Sequence, residues 1–268
     1  MAVQPFDYRA LDVTDEVAVA TTIERERPDA IINCAAYTDV EGAEGDREAA
    51  FAVNDQGVGF VAAAAATHNA RLIHISTDYV FSGQFHETEC RPYVETDRIE
   101  PINVYGDSKL AGELRLADYG GALILRTTWL YGGCTKNFLS TMLRLGEQRR
   151  DGGEPLRVVD DVWGTPTDCF SLAEQIVRLL SPDAADLSGV VHASCEGKCT
   201  WFRFAQEIFS RIGWSVAVEP ITSAEYSTRA RRPEYSVLEN RVLKQRGLLT
   251  LPTWQAGLAR ALQERGVE

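Results

Sequence analysis

Three short apolar runs divide the first half of the chain into alternating segments. They are DAIINCAA (29–36), RLIHIST (71–77) and ALILRTTWLYG (122–132). Near-continuous apolarity over a few residues is typical of strands that are buried on both faces, as in parallel sheets. Segments with helical spacing lie before, between and after these runs, at residues 14–27, 43–68, 103–116 and 137–150. The alternation predicts an α/β fold with a parallel sheet.

The composition shifts to glycine and charge around residues 149–155, which indicates a boundary. The elements beyond it are shorter and have more loop between them. The pattern there predicts strands at 156–161 and 189–194, and helices at 171–180, at 200–213 and after Pro252. We therefore expect one α/β domain over residues 1–150, with residues 151–268 contributing mainly a smaller α/β lobe.

The balance of charges argues against a nucleic-acid partner. Asp and Glu outnumber Lys and Arg by 39 to 27, and the only local basic cluster is RARRP at 229–233.

The six cysteines form no C-x-x-C pair, which favours reduced thiols over a zinc site. No apolar run reaches the roughly 20 residues of a membrane helix, and the first residues lack a signal-peptide pattern. We expect a cytoplasmic protein without a membrane partner.

Tyr105 and Lys109 stand four residues apart in NVYGDSKLAGE (103–113). In a helix they would lie one turn apart on the same face. A phenol with its ordinary pKa of about 10 is a poor acid at neutral pH, and a nearby ammonium group lowers that pKa. The pair therefore predicts a proton donor for a carbonyl oxygen. On spacing alone, the commoner interpretation is a half-buried helix aromatic beside a solvated lysine.

Polar side chains end the second apolar run, where Ser76 and Thr77 are followed by Asp78. The carboxyl edge of a parallel sheet is where open α/β folds bind ligands. Thr77 could therefore hydrogen-bond the same carbonyl oxygen that Tyr105 protonates. The alternative is that this triplet only caps a turn.

Six segments carry a resemblance to a known family. In chain order they are NCAAYTDVEGAE, HISTDYVFSG, PINVYGDSKLAGE, LRTTWLYG, WGTPT and ARRP. In order and spacing they resemble the dTDP-4-dehydrorhamnose reductase family of extended short-chain dehydrogenase/reductases, from Asp12 to the C-terminus. The resemblance implies that residues 1–150 form a Rossmann-like dinucleotide-binding domain and that residues 151–268 contribute mainly the substrate-binding lobe.

The resemblance also implies catalytic roles for three residues. Thr77 would be the catalytic hydroxyl, Tyr105 the proton donor, and Lys109 the lysine that lowers the pKa of the tyrosine and holds the nicotinamide ribose. Hydride would pass from NADPH or NADH to C4 of a nucleotide-linked 4-keto-6-deoxy sugar. In the family this reaction converts dTDP-4-dehydrorhamnose to dTDP-L-rhamnose.

Binding residues follow from the same resemblance. Besides Tyr105 and Lys109, the positions beside the cofactor are Asp12, Ala35, Ala36 and Thr38. Besides Thr77, the positions beside the substrate are Asp78, Tyr79, Trp129 and Arg232. Without a ligand, Trp129 could equally be a core aromatic, and Arg232 could be part of a solvated charge run. The small side chains at 35 and 36 would let a cofactor approach the backbone closely.

The beginning of the chain departs from the family pattern. The family starts with a strand, a Gly-rich turn and a helix that receives the pyrophosphate. This sequence opens at MAVQPFDYRALDVTD and shows no such unit. We therefore expect a Rossmann-like sheet that is incomplete at its N-terminus, either because the reading frame is longer or because the unit is lost.

The segment GVGFVA (57–62) matches the letters of the G-x-G-x-x-A motif but not its structural context, because it follows no strand. We interpret Gly57 and Gly59 as close-packing positions in a helix.

An alternative function is a non-catalytic regulatory or binding protein, similar to the regulatory beta subunit of methionine adenosyltransferase. The missing phosphate loop favours it, and the intact set of Thr77, Tyr105 and Lys109 counts against it. An epimerase or dehydratase of the same superfamily fits STDYVF and WGTPT less well.

The family also implies a possible homodimer. A Mg²⁺ ion at such an interface has no unambiguous ligands in this sequence, so no metal residue is assigned.

Overall fold

The computed structural model describes residues 2–84, 91–117, 119, 121–133, 136–150 and 152–267. Its strands are β1 (Ala30–Asn33), β2 (Arg71–Thr77), β3 (Leu123–Thr127), β4 (Leu130–Tyr131), β5 (Leu156–Val159), β6 (Trp163–Gly164), β7 (Thr167–Asp168), β8 (Gly189–His192), β9 (Cys199–Thr200) and β10 (Val218–Ile221). Its α-helices are α1 (Glu16–Glu26), α2 (Val40–Ala43), α3 (Arg47–Phe51), α4 (Gly57–Thr67), α5 (Val104–Arg115), α6 (Phe138–Glu147), α7 (Cys169–Leu179), α8 (Trp201–Arg211), α9 (Arg241–Gln245) and α10 (Trp254–Glu264). These elements confirm the predicted α/β class.

Four parallel strands form the central sheet, in the order β1-β2-β3-β8. Ile32 of β1 lies beside Ile73 of β2, and Leu123 of β3 lies beside Gly189 of β8. The strand β8 comes from the part of the chain beyond residue 150, so that part supplies a strand of the main sheet as well as the smaller paired strands β5 and β10. The division into two parts at residue 150 stays a prediction.

Side chains of β2 and β3 pack alternately on the two faces of the sheet, because successive residues of a strand point to opposite sides. Leu72 and Ile124 lie in one buried cluster with side chains of α1 and α4. Ile73 and Leu125 lie in a second cluster with side chains of α6, α7, α8 and α10. Both faces are therefore covered, which explains why the strands read as continuous apolar runs.

The helix expected over residues 43–68 begins later than predicted, at Arg47, and then runs without a break through α3, a π turn and α4 to Thr67. Asp39 accepts a hydrogen bond from the amide of Gly42, and Asp46 accepts one from the amide of Ala49. Each carboxylate therefore caps a separate short helix, α2 or α3. α2 lies mostly before the expected helix, and the expected helix itself starts at the Asp46 cap.

A π-helical turn at Ala52–Gln56 precedes α4 and adds a further departure from the expected helix. Its buried Asn54 accepts a hydrogen bond from the Tyr37 amide (2.9 Å) and donates to the Tyr37 carbonyl (3.0 Å). The same side chain donates to Ser108 Oγ on α5 at 2.9 Å. These contacts bridge residues distant in sequence, and π turns of this kind interrupt helices at specific tertiary contacts.

The strand expected over residues 122–132 is also divided. The chain leaves β3 after Thr127 and turns at Trp129, whose φ of 46° is in the left-handed region. It then forms the short strand β4, which pairs with β7. A tryptophan in this conformation is unusual and was not readable from the apolar run.

The two glycines of GVGFVA behave differently. A Cβ added at Gly57 would lie 3.0 Å from the side chain and carbonyl of Val13, which confirms a close-packing position at the start of α4. A Cβ added at Gly59 would meet only Arg115 at 3.6 Å, an ordinary contact, so the interpretation of Gly59 was wrong. Neither glycine follows a strand, which confirms that the segment is not a phosphate loop.

The close approach of α5 to the π turn depends on Gly112. A Cβ added there would overlap the carbonyl oxygen of Asn54. We expect Gly112→Ala to destabilise the fold by about 1–3 kcal/mol, because the backbone has to shift. Gly59→Ala is the matched control, since alanine favours a helix interior by up to about 1 kcal/mol over glycine. Urea unfolding of both variants measures the difference, and equal stability would contradict the close contact.

Candidate active site

Helix α5 begins beside the carboxyl end of β2. Asn103 caps it by accepting a hydrogen bond from the Gly106 amide (2.7 Å), and its amide nitrogen donates to the Arg231 carbonyl (2.8 Å). The cap thus fixes the first turn of α5 to the segment that contains ARRP. Tyr105 lies in that turn and Lys109 lies one turn later, as the sequence pattern predicted.

Tyr105 is half-buried, and its ring meets the ring of Tyr79 edge-on with centroids 5.5 Å apart. Burial raises the pKa of Tyr105 to about 12, while its hydrogen bond with Thr77 lowers it and the nearby Asp78 carboxylate raises it. The net shift of this pKa is therefore upward, and the expected lowering by Lys109 stays a prediction. The phenol is protonated at neutral pH and can act as an acid.

Lys109 is 2% exposed, so the interpretation of a solvated lysine is wrong. Its Nζ donates to the Ile75 carbonyl at 2.7 Å and lies 3.3 Å from His74 Nε2. Burial lowers the pKa of Lys109 to about 8, although the carboxylate of Glu113 and the thiol of Cys34 act in the opposite direction. The lysine can therefore gain or lose a proton near neutral pH.

Thr77 ends β2 and caps the turn that follows it, while its catalytic role stays a prediction. Its hydroxyl accepts a hydrogen bond from the Tyr79 amide (3.2 Å), which caps the short 3₁₀ turn at Asp78–Val80. The same hydroxyl donates to Asp78 Oδ1 (3.1 Å) and interacts with Tyr105. Capping holds the hydroxyl in place beside the phenol.

Asp78 is buried and surrounded by hydroxyl groups. Thr128 Oγ1 donates to its Oδ2 at 2.8 Å, and Ser236 and Thr77 also bond it. Burial outweighs these bonds and raises the pKa of Asp78 to about 6. Through these hydrogen bonds the carboxylate connects the end of β2, the turn after β3 and the segment that contains Ser236.

A buried ion pair lies beneath this site. Glu113 of α5, one turn beyond Lys109, accepts hydrogen bonds from Arg126 Nε (2.9 Å) and Nη2 (2.6 Å) and from Ser76 Oγ (2.5 Å). Arg126 and Glu113 are 1% and 5% exposed. These contacts attach α5 to β2 and β3. The sequence analysis missed them, although an arginine inside an apolar strand was a usable signal.

The residues expected beside the cofactor fall into two groups. Ala35, Ala36 and Thr38 follow the carboxyl end of β1, at the same edge of the sheet as Thr77. Asp12 is exposed and accepts hydrogen bonds from the amide (2.9 Å) and the hydroxyl (2.8 Å) of Thr14, which form a local turn before α1. The structure gives no contact that brings Asp12 to Tyr105.

The residues expected beside the substrate lie in separate surroundings and contact different partners. Tyr79 contacts Tyr105, whereas Trp129 is half-buried and stacked on Trp201 with ring centroids 3.4 Å apart. Arg232 is not simply solvated, because its Nη2 donates to Glu41 Oε1 at 3.0 Å. Its buried Nε has no hydrogen-bond partner within the described ranges. The Arg232 charge also acts on Tyr79, which places it near the phenol pair.

In the part of the chain that the structure describes, His, Cys, Asp and Glu side chains form no group of three or more able to hold a metal ion. Each helix within the described ranges is too short or too polar to span a bilayer.

Known proteins resemble this chain over nearly its whole length. A family model described as the RmlD substrate binding domain matches residues 1–266. The dTDP-4-dehydrorhamnose reductase of Mycobacterium tuberculosis is 43% identical over 254 residues, which are 94% of this chain and 81% of the relative. A dTDP-4-keto-6-deoxy-D-glucose reductase of Streptomyces niveus is 39% identical over 94% of this chain and 84% of the relative.

Solved structures agree with this likeness. The crystal structure of dTDP-4-dehydrorhamnose reductase from Bacillus anthracis, in complex with NADP, superposes with a TM-score of 0.90 at 40% identity. The match covers 97% of this chain and 89% of that one. The likeness confirms that the fold is Rossmann-like.

Removing one member of the buried ion pair should be costly. We expect Arg126→Met to destabilise the fold by about 3–5 kcal/mol, because the Glu113 carboxylate stays buried without its partner. The matched control is Arg115→Met, which removes the partner of Asp55 at the surface and should change stability little. Thermal or urea unfolding compares the two. A similar loss in both would show that the pair does not hold α5 to the sheet.

Proposed function

This chain belongs to the dTDP-4-dehydrorhamnose reductase family, and on that premise we propose that it reduces dTDP-4-dehydrorhamnose to dTDP-L-rhamnose with NADPH. The reaction is the reduction of a C4 ketone on a nucleotide-linked 4-keto-6-deoxy sugar, a step of deoxysugar biosynthesis. The observation that carries the proposal is that Tyr105 lies beside Thr77 at the carboxyl edge of a parallel sheet, with Lys109 one helical turn away and bonded to the Ile75 carbonyl.

Tyr105 is the proposed proton donor. NADPH, when bound, supplies the hydride that adds to C4 of the sugar. As the carbonyl carbon gains the hydride, the oxygen gains negative charge and takes the phenolic proton. The raised pKa of Tyr105, about 12, keeps the phenol protonated until then. The Thr77 hydroxyl can turn its hydrogen from Asp78 Oδ1 to the same oxygen, which stabilises the charge as it develops.

Lys109 is proposed to bind the nicotinamide ribose and to stabilise the phenolate that remains after proton transfer. Its buried Nζ lies on the same helical face as Tyr105, one turn away. In a site of low dielectric constant, a cation acts more strongly on a phenolate than it would in water. The carbonyl of Ile75 and the ring of His74 hold the side chain in this position.

The residues after β1 are suited to a dinucleotide. Ala35 and Ala36 are half-buried at the sheet edge, and their small side chains leave the backbone accessible to a large flat ligand. We assign them, with Thr38 and Asp12, to cofactor binding, with Asp12 resting on the family resemblance alone. NADPH is preferred over NADH because the 40% identical reductase of Bacillus anthracis was solved with NADP.

The substrate is proposed to lie over Tyr79 and Asp78, with Trp129 at one side and Arg232 near the diphosphate. A guanidinium group binds phosphate oxygens through two parallel hydrogen bonds. The buried Nε of Arg232 is a donor without a protein partner among the described residues, which fits this use. The homodimer and the cytoplasmic location remain predictions.

We expect Tyr105→Phe to lower kcat by about 10²–10⁴-fold, because general acid catalysis contributes a factor of that order. The measurement is oxidation of NADPH, followed by absorbance, with dTDP-4-dehydrorhamnose as substrate. Tyr8→Phe is the control, since Tyr8 is 77% exposed and its hydroxyl accepts a hydrogen bond from Arg9 at the surface. Both variants should still fold and titrate NADPH.

Retained turnover in Tyr105→Phe would contradict the assignment of the proton donor. Binding of NADPH by the unaltered chain without any turnover would favour the non-catalytic alternative instead.

A further inference from the structure

Three hydrogen-bond donors converge on Glu41, the second residue of α2. Its Oε2 accepts from the amides of Arg229 (2.8 Å) and Ala230 (3.3 Å), and its Oε1 accepts from Arg232 Nη2 (3.0 Å). All three donors belong to RARRP (229–233), which we call the RARRP segment. One carboxylate therefore fixes both the backbone of this segment and the guanidinium group of Arg232.

The RARRP segment is also held at two other points. Asn103, the cap of α5, donates to the Arg231 carbonyl at 2.8 Å. A Cβ added at Gly83 would lie 2.6 Å from Pro233 Cα, so the backbone at this glycine passes directly against the proline. Because these two contacts do not involve Glu41, we expect the segment to stay attached when that side chain is changed.

A carboxylate suits the three donors around Glu41, and an amide does not. Both oxygens of a carboxylate accept hydrogen bonds, whereas an amide has one oxygen and one NH₂ group. In Glu41→Gln the NH₂ group would face either the guanidinium group or the two backbone amides. Burial raises the pKa of Glu41, but the hydrogen bonds from Arg232 and from the two amides outweigh it, and the pKa lies below its ordinary value.

The ion pair of Glu41 and Arg232 connects the two sides of the proposed site. Glu41 follows Thr38, on the cofactor side, by three residues. On the substrate side, the pKa of Tyr79 is raised mainly by burial, and the charges of Arg232 and Glu41 both act on it. The ring of Tyr79 contacts the ring of Tyr105. The Glu41 carboxylate thus sets where the guanidinium group lies relative to these phenols.

Glu41 has two opposite effects on an anion that approaches Arg232. Its negative charge partly cancels that of the guanidinium group and repels the anion. Its hydrogen bond holds a long side chain that would otherwise lose rotamer entropy on binding. A guanidinium group has five N–H donors and Glu41 occupies one of them, so donors remain for phosphate oxygens. Removal of the carboxylate charge tells the two effects apart, because they change anion affinity in opposite directions.

We propose that Glu41 is a positioning residue, which holds Arg232 and the RARRP segment in the arrangement that binds the diphosphate group of the nucleotide sugar. This inference rests on the proposed function, because that function assigns the diphosphate to Arg232. Positioning outweighs the partial cancellation of charge. Removing the charge of Glu41 therefore weakens diphosphate binding, although it makes the site more positive.

Calorimetric titration with dTDP, which carries the diphosphate without the sugar, measures this effect. We expect Glu41→Gln to weaken dTDP binding about tenfold, a change of the size found between residues in direct contact. Glu41→Asp keeps the charge but shortens the side chain, so it should weaken dTDP binding as well. Glu48→Gln is the matched control, because it removes the same charge from an exposed position on α3, and it should leave the affinity unchanged.

A double-mutant cycle with Arg232→Met shows whether Glu41 acts through the guanidinium group. In that background, Glu41→Gln should change the dTDP affinity by less than about twofold. In turnover assays, Glu41→Gln should raise KM for the nucleotide sugar about tenfold and leave kcat within about twofold, because only the binding of a non-reacting group is altered. Thermal unfolding checks that each variant is folded, and Glu41→Asp carries the test if Glu41→Gln is not.

Unchanged or tighter binding of dTDP by Glu41→Gln, or unchanged binding by Glu41→Asp, would overturn the proposal. Equal weakening in both backgrounds would overturn the route through Arg232. If the variants behave as expected toward dTDP but the unaltered chain does not reduce dTDP-4-dehydrorhamnose, the proposed reaction fails and this inference stands. If the chain is an active reductase whose Glu41→Gln variant keeps its KM and its dTDP affinity, the inference fails and the proposed function stands. A folded, unaltered chain that binds no dTDP would contradict both.

Discussion

The buried ion pair between Glu113 and Arg126 is the constraint on which the site depends. It attaches α5 to β3, and the Ser76 hydroxyl extends the contact to β2. Two charges in the interior are expensive to desolvate, and here three donors satisfy the Glu113 carboxylate, whereas Arg126 Nη1 has no hydrogen-bond partner among the described residues. Because Tyr105 and Lys109 are carried by α5, this attachment sets where the phenol and the amine lie relative to Thr77.

Burial is the common cause of the unusual titration of the site. It raises the pKa of Tyr105, lowers that of Lys109 and raises that of Asp78, in each case by disfavouring the charged form. The result is an acid that keeps its proton and a lysine that is ready to exchange one. Both properties are useful for reducing a ketone, where negative charge appears on oxygen only during the reaction.

The sequence predicted those elements and site residues whose pattern depends on residues near one another in the chain. The strand at 71–77 and the helix with Tyr105 and Lys109 on one face could be predicted, because both patterns depend on neighbouring residues. The π turn around Asn54 and the left-handed conformation of Trp129 could not, since each is set by contacts with residues distant in sequence. The pKa of Tyr105 was misjudged for a similar reason. The charge of a lysine is visible in the sequence, whereas the degree of burial is not.

The most direct measurement is the transfer of a labelled hydride. The chain would be incubated with dTDP-4-dehydrorhamnose and NADPH carrying two deuterium atoms at C4 of the nicotinamide, and the sugar product would be examined by mass spectrometry and NMR. If the site works as described, the product is dTDP-L-rhamnose with one deuterium on C4. Recovery of unchanged substrate from a folded chain that binds NADPH, or a reduced sugar without deuterium at C4, would contradict the account.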